Sequence, residues 1–452
     1  MQWMKCSGVR LLLQSLFVLV LGAALTFPAK VVLAMNIEKV VSPLGIEAWL
    51  VREDNVPMVA MRFAFKGGAA QDQEGRQGTA YLLSGMIDEG AGDLKSSAFQ
   101  EKIEELTMRL SFDASRDHFS GSFQTLTERK AAAFDLLKSA LTKPRFDEDA
   151  IERVRTQILS SLKFDAKNPQ SVATRAWFKS AFQGHPYGRA TKGTEESVKS
   201  LTRDDLVTAH RKIFAREHLK IAVVGDITAE ELGPLLDHVF GELPEKSGIK
   251  DVAEADKVFG PALETIEMAV PQSVIQFGHQ GVKRNDDDFI PAYILNYILG
   301  GGGFSSRLME EVREKRGLAY SIYSSLYPLE DGALVLGGVA TKTSSVQEAI
   351  DLIKQEFNRL GAEGPTEAEF QNAKNYLTGS YALRFDTSSK IAGQLLWIQV
   401  EGLGIDYVDK RNDLIQRVSL ERIKNVAKRL LNGNNLVITI VGQVKEGEIK
   451  LQ

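Results

Sequence analysis

Two stretches of the chain repeat one pattern of apolar and polar positions. Leu201–Gly225 reads LTRDDLVTAHRKIFAREHLKIAVVG, and Val418–Gly442 reads VSLERIKNVAKRLLNGNNLVITIVG; they align without a gap at an offset of 217 residues. Each opens on a hydroxyl, Thr202 or Ser419, suited to accept from the free N–H groups of a helix start. Apolar residues then recur at helical spacing: Leu206, Ile213 and Phe214 in one copy, Ile423, Leu430 and Leu431 in the other. A polar turn and a β-branched strand ending in glycine follow. Two more pairs stand in the same order. Ile151, Val154 and Ile158 match Phe370, Ala373 and Leu377, and Ala80-Tyr81-Leu82-Leu83 resembles Ala292-Tyr293-Ile294-Leu295. Three matching units in one order point to a duplicated domain.

Within a copy, the periods of two and 3.6 alternate. Ile46–Arg52 and Met58–Phe65 read as the arms of a hairpin around Asp54-Asn55, with Val59, Met61, Phe63 and Phe65 on one face. Helical spacing runs from about Gly78 and again from Ser97 to Leu106. A second strand pair follows near Arg109–Ala114 and Phe119–Leu126. Strands joined by short turns imply an antiparallel sheet with helices packed on one face, an α+β fold in two homologous domains. The expected boundaries are 35–242 and 262–452, with the weakly periodic segment 243–261 as linker.

The first 34 residues have a different pattern. Lys5 and Arg10 precede an apolar stretch, Leu11–Leu25, interrupted by Gln14 and Ser15; Val32-Leu33-Ala34 offers a cleavage site after Ala34. This reads as a signal peptide, and the apolar run is short for a membrane span of about 20 residues. The expected location is the periplasm or the exterior, with no stable span after cleavage. Cys6 is the only cysteine, so export brings no disulfide framework. The 452 residues carry 55 basic and 59 acidic side chains, and without residues 1–34 the balance is 52 against 59, a net charge of −7. That composition argues against a nucleic-acid partner.

The candidate chemistry begins with GGAAQDQEGRQGTAYLLSGMIDEGAG, Gly67–Gly92. It resembles the segment of the insulinase/pitrilysin/mitochondrial-processing-peptidase family that carries H-x-x-E-H, two histidines and an acidic base on one helix face. Here those positions hold Tyr81, Ser84 and Gly85. The third ligand of the family, a glutamate before Asn-Pro, falls on Ser161 when counted back from Asn168-Pro169. None of the four suits zinc ligation or base catalysis on metal-bound water. The six histidines, His118, His185, His210, His218, His238 and His279, include no pair at i,i+3 or i,i+4. No zinc is expected on this chain. A G-x-S-x-G elbow is absent, and the Gly300–Gly303 run lacks the Lys-Ser/Thr of a phosphate loop; a close approach of two backbones is the plainer reading.

The second half resembles the family more fully. GGGGFSSRLMEEVREKRGLAYSIYSS, Gly300–Ser325, keeps that family's Arg and Tyr seven residues apart, as Arg313 and Tyr320. The pattern predicts a helix from Ser306 to about Lys315, a stop at Gly317, and a strand with Tyr320, Ile322 and Ser324 on one face. In active relatives the pair contacts the substrate carbonyl across from zinc. Arg116-Asp117 resembles the family's first-domain edge strand, and His185-Pro186-Tyr187-Gly188 reads as a structural turn. The resemblance implies a non-catalytic subunit of an exported heteromeric metallopeptidase. Its partners would be a zinc-bearing subunit and an unfolded peptide. Two readings stay open beside it: a scaffold or peptide-binding module outside proteolysis, and a zinc peptidase with unusual ligands.

Overall fold

The computed structural model describes residues 35–255, 260–445 and 447–450. The expected signal segment over residues 1–34 lies outside the described residues, as do residues 256–259 of the expected linker. From Ile37 onward the chain forms a single compact unit built around two sheets.

Strands β1 (Glu38–Val41), β2 (Glu47–Arg52), β3 (Met58–Lys66), β4 (Gly90–Ala91), β5 (Leu94–Lys95), β6 (Arg109–Ala114), β7 (His118–Leu126) and β8 (Lys220–Gly225) belong to the first half. The second half supplies β9 (Ala262–Glu267), β10 (Ser273–Gln280), β11 (Ala319–Leu329), β12 (Gly332–Thr341) and β13 (Val437–Gly442). The first sheet runs β1-β2-β8-β3-β7-β6 and the second β9-β13-β10-β12-β11; β4 and β5 form a separate ribbon. Without β1, the two orders match strand for strand. The helices Arg203–Ile213 and Leu420–Leu430, like β8 and β13, keep the offset of the sequence repeat. Their caps form as the hydroxyls suggest: Thr202 accepts from the Asp205 N–H at 3.3 Å and Ser419 from the Arg422 N–H at 3.1 Å.

The architecture is the expected α+β pair, with two differences. First, β2 and β3 are not a hairpin. β8 lies between them, parallel to β2 and antiparallel to β3, and β13 likewise runs parallel to β9. Local alternation cannot reveal a partner about 170 residues away in the chain, and both arms read the same with or without it.

Second, each sheet has covered faces on both sides. Val59, Met61, Phe63 and Phe65 share one face of β3 and are fully buried in the first-half core. Ala60 and Ala64 point the other way, and both are buried. There the helix Ser388–Val400, from the second half, packs on β3 and β8. The helix Pro169–Ala181, from the first half, packs on β13 and β10. Each crossing helix also reaches a strand carbonyl. Trp177 Nε1 donates to Val437 O at 2.8 Å, and Gln399 Nε2 donates to Ile221 O at 2.9 Å. Gly278 makes room for the first: a Cβ there would lie 2.8 Å from the Trp177 ring. Among the described residues, no helix is long and apolar enough to cross a membrane.

The exchange generates a prediction. Trp177 is wholly buried against the other half. Trp177→Ala is expected to lower unfolding free energy by roughly 3–5 kcal/mol. Trp177→Phe, which removes the indole hydrogen bond to Val437 O and part of the buried ring, should cost about 1–3 kcal/mol. Denaturant titration checks both values.

Candidate functional site

The helix Thr79–Ser84 is short and has no capping side chain of its own. Its free N–H groups are met from a distance: Asp72 accepts from Gly78 N at 2.8 Å and from Ala80 N at 3.0 Å. This fixes the segment that would carry zinc ligands in the family. Tyr81 is half-buried and packs against the first-half core. Ser84 is buried, and its Oγ donates to Tyr81 O at 2.8 Å. Gly85 ends the helix beneath Val154, whose Cγ1 would lie 2.9 Å from an added Cβ. An imidazole there requires Val154 to move.

Ser161 lies on the helix Glu148–Asp165. The residue that ties it to the first segment is one the sequence did not single out. Lys192 Nζ donates to Ser161 Oγ at 3.2 Å and to Asp165 Oδ2 at 2.8 Å, and lies 5.9 Å from the Tyr81 ring centre. Tyr81 and Ser161 thus converge on one point, and an ammonium stands there. The hydrogen bond to Asp165 raises the Lys192 pKa against the opposing pull of burial, and Tyr81 adds to the rise. A protonated amine has no lone pair for a metal and repels a second cation. Among the described residues no group of three His, Cys, Asp or Glu side chains could hold a metal ion. The residues at these positions do not fit zinc.

Arg313 and Tyr320 also stand together. The chain reaches Arg313 through a wide π-helical stretch, Met309–Glu314, then turns at Gly317 with φ +62°. Gly300 lies against β11, where a Cβ would sit 2.6 Å from Ser324 N. The Arg313 guanidinium carbon is 4.9 Å from the Tyr320 ring centre and 4.4 Å from that of Phe304. Both rings are open to solvent, Tyr320 at 82% and Phe304 at 67% exposure. The expected face sharing of Tyr320 with Ile322 and Ser324 does not occur. The register of β11 on β12 shifts between Ala319 and Ile322, and this bulge turns Tyr320 outward while Ile322 and Ser324 are buried.

Arg116 and Asp117 form the turn between β6 and β7 and join the two halves. Asp117 accepts from the Tyr187 hydroxyl at 2.6 Å and from Glu330 N at 3.1 Å, and Asp331 N donates to the same hydroxyl at 3.0 Å. Burial and Asp117 push the Tyr187 phenol far above its ordinary pKa, so it stays a donor. Arg116 lies over the Phe178 ring at 3.7 Å. His185 accepts from Tyr187 N at 3.1 Å within the Pro186–Gly188 turn. Two histidines are structural, His279 buried and His210 half-buried against Leu141 O, and desolvation lowers both to about 4.

Residues 49–195 match the sequence model of the insulinase peptidases (peptidase family M16), and residues 200–377 match that of the peptidase M16 inactive domain. The chain belongs to the insulinase family. Among curated relatives of this family member is the Helicobacter pylori non-peptidase homolog YmxG, 27% identical over 402 residues, 88% of this chain and 92% of that protein. A crystal structure titled as the peptidase M16 inactive domain from Pseudomonas fluorescens superposes with a TM-score of 0.86 at 27% identity, covering 92% of this chain and 99% of that one. A Helicobacter pylori protease structure shares the fold, with a TM-score of 0.80 at 17% identity over 90% of this chain and 100% of that one.

The Asp72 cap predicts a pH dependence for this insulinase-family chain. Burial pushes its carboxyl up to about 7, against three main-chain donors and Arg189. In the unfolded chain it titrates near about 4. The folded state therefore holds the proton more tightly, and its stabilisation is complete below about 4 and fades as pH rises through about 7. Relative to Asp72→Asn, the melting temperature of the unaltered chain should fall between those values and then level off. Thermal melts of both proteins across that range check it.

Proposed function

We propose that this chain is the non-catalytic half of an exported two-chain zinc peptidase. It binds an unfolded peptide and completes the partner's active site with Arg313 and Tyr320, while the partner supplies zinc. The observation that carries this reading is the half-buried Arg313 held against the exposed rings of Phe304 and Tyr320, in a chain whose ligand positions are Tyr81, Ser84, Gly85 and Ser161. The guanidinium supplies a charged fork of donors and the phenol a single directed one. Together they suit the oxyanion formed when a peptide carbonyl is attacked. Tyr320 sits at the start of β11, the edge strand of its sheet, where an extended peptide can add through main-chain hydrogen bonds, and Arg313 reaches it from the preceding π-helical stretch. Export follows from the reading of residues 1–34, with cleavage after Ala34 and action in the periplasm or outside the cell.

A second reading has an observation of its own. Tyr323 and Tyr327 are exposed along the same strand as Tyr320, and such a row holds a peptide without any chemistry. A scaffold or peptide-binding module would need no more.

Co-purification with an H-x-x-E-H partner separates the two. For the assembled pair, Arg313→Ala and Tyr320→Phe are each expected to lower kcat by about 10²-fold or more, with association unchanged. Cleavage that is undiminished in the double variant removes the proposed role and leaves binding alone.

A further inference from the structure

The cavity beside Lys192 carries more positive charge than its surroundings neutralise. It encloses about 420 Å³ and is lined by both halves, with Phe178 from the first and Tyr327 from the second. Arg116, Arg175, Arg189 and Lys192 face a single lining carboxylate, Asp165. Lys192 takes that carboxylate at 2.8 Å. Among the ion pairs of the described residues, none involves any of the three arginines. Arg116 donates to Tyr187 O at 3.1 Å and Arg189 to Asp72 O at 2.6 Å, both main-chain acceptors. Asp117 acts on Arg116 and Asp72 on Arg189 only at a distance, without an ion pair. Asp117 accepts from Tyr187 and Glu330, and Asp72 accepts from Gly78 and Ala80. Arg175 is exposed on the crossing helix Pro169–Ala181.

We propose that this cavity binds a carboxylate of a peptide, from an acidic side chain or a free C-terminus, and so selects acidic segments over basic ones. The choice of a peptide as ligand rests on the reading above. Guanidinium forks match carboxylates in paired hydrogen bonds, and a partly enclosed site strengthens them. Phe178 and Tyr327 offer apolar contact to the ligand's carbon atoms. A lysine or arginine side chain would have to enter beside three guanidiniums that no lining carboxylate pairs.

The test uses the full chain alone and fluorescence anisotropy with four labelled peptides of equal length. One alternates Glu and Ala with both ends blocked, and one is its Lys–Ala counterpart. Two are neutral Ser–Ala peptides, with a free and an amidated C-terminus. The Glu peptide, the free-ended neutral peptide or both should bind at least tenfold more tightly than their Lys or amidated counterparts; the arm that does so names the source of the carboxylate. Affinity should fall with added salt and fall at least tenfold again in Arg175→Glu. That residue is exposed and makes no ion pair among the described residues, so its loss should leave the melting temperature unchanged. Equal or tighter binding of the Lys peptide, no binding by either carboxylate peptide, or an unaltered affinity in Arg175→Glu would overturn the proposal. Since no cleavage is measured, these outcomes leave the role of Arg313 and Tyr320 to its own experiment.

Discussion

Each half of this molecule builds a sheet with two apolar faces and covers only one of them with its own helices. The other, with Ala60 and Ala64 on the first sheet and Val274 and Val441 on the second, is buried only because something covers it. The solution is reciprocal: Pro169–Ala181 crosses to β13 and β10, and Ser388–Val400 crosses to β8 and β3. Trp177 and Gln399 fix the two crossings with hydrogen bonds to Val437 and Ile221. The halves are therefore one folding unit in which neither sheet is complete alone. The same exchange shapes the functional region, because the crossing helix that carries Trp177 also carries Arg175 and Phe178 into the cavity.

Charge then decides what that region can hold. Relatives bearing the zinc motif need neutral imidazoles and a carboxylate converging on a divalent cation. Here the converging groups are a phenol, a hydroxyl and an aspartate, arranged around the ammonium of Lys192. A monovalent, covalently tethered cation lies beside two of the ligand positions, Tyr81 and Ser161, and Asp165 pairs with it. The same contacts tie the helix Glu148–Asp165 to the loop bearing Lys192. The second half shows the opposite. Arg313 and Tyr320 stay in contact, and a bulge in β11 aims the tyrosine out to solvent.

Much of this was legible along the chain. The duplication showed itself because helix and strand periods recur at one offset, and the matching strand orders are its three-dimensional form. That Tyr81 and Ser84 lie on a helix followed from local spacing, and Gly85 closes it. The β2–β3 relation was not readable: a strand from far along the chain enters between two arms that alternate like a hairpin. Tyr320 was misplaced for a similar reason, since one extra residue in a strand reverses facing without altering its composition. Lys192 lies in a turn with no periodicity, and only folding brings it to Ser161. Asp72 was hidden in the same way, as a cap six residues ahead of the N–H it satisfies at Gly78.

The central claim is that the Lys192 ammonium beside Tyr81 and Ser161 leaves the first half unsuited to zinc. Zinc titration of the purified, metal-stripped chain by isothermal calorimetry, with metal content read by mass spectrometry, addresses it most directly. The account predicts no saturable zinc site and a metal content well below one per chain. One tightly held zinc per chain, removable by a chelator, would contradict it.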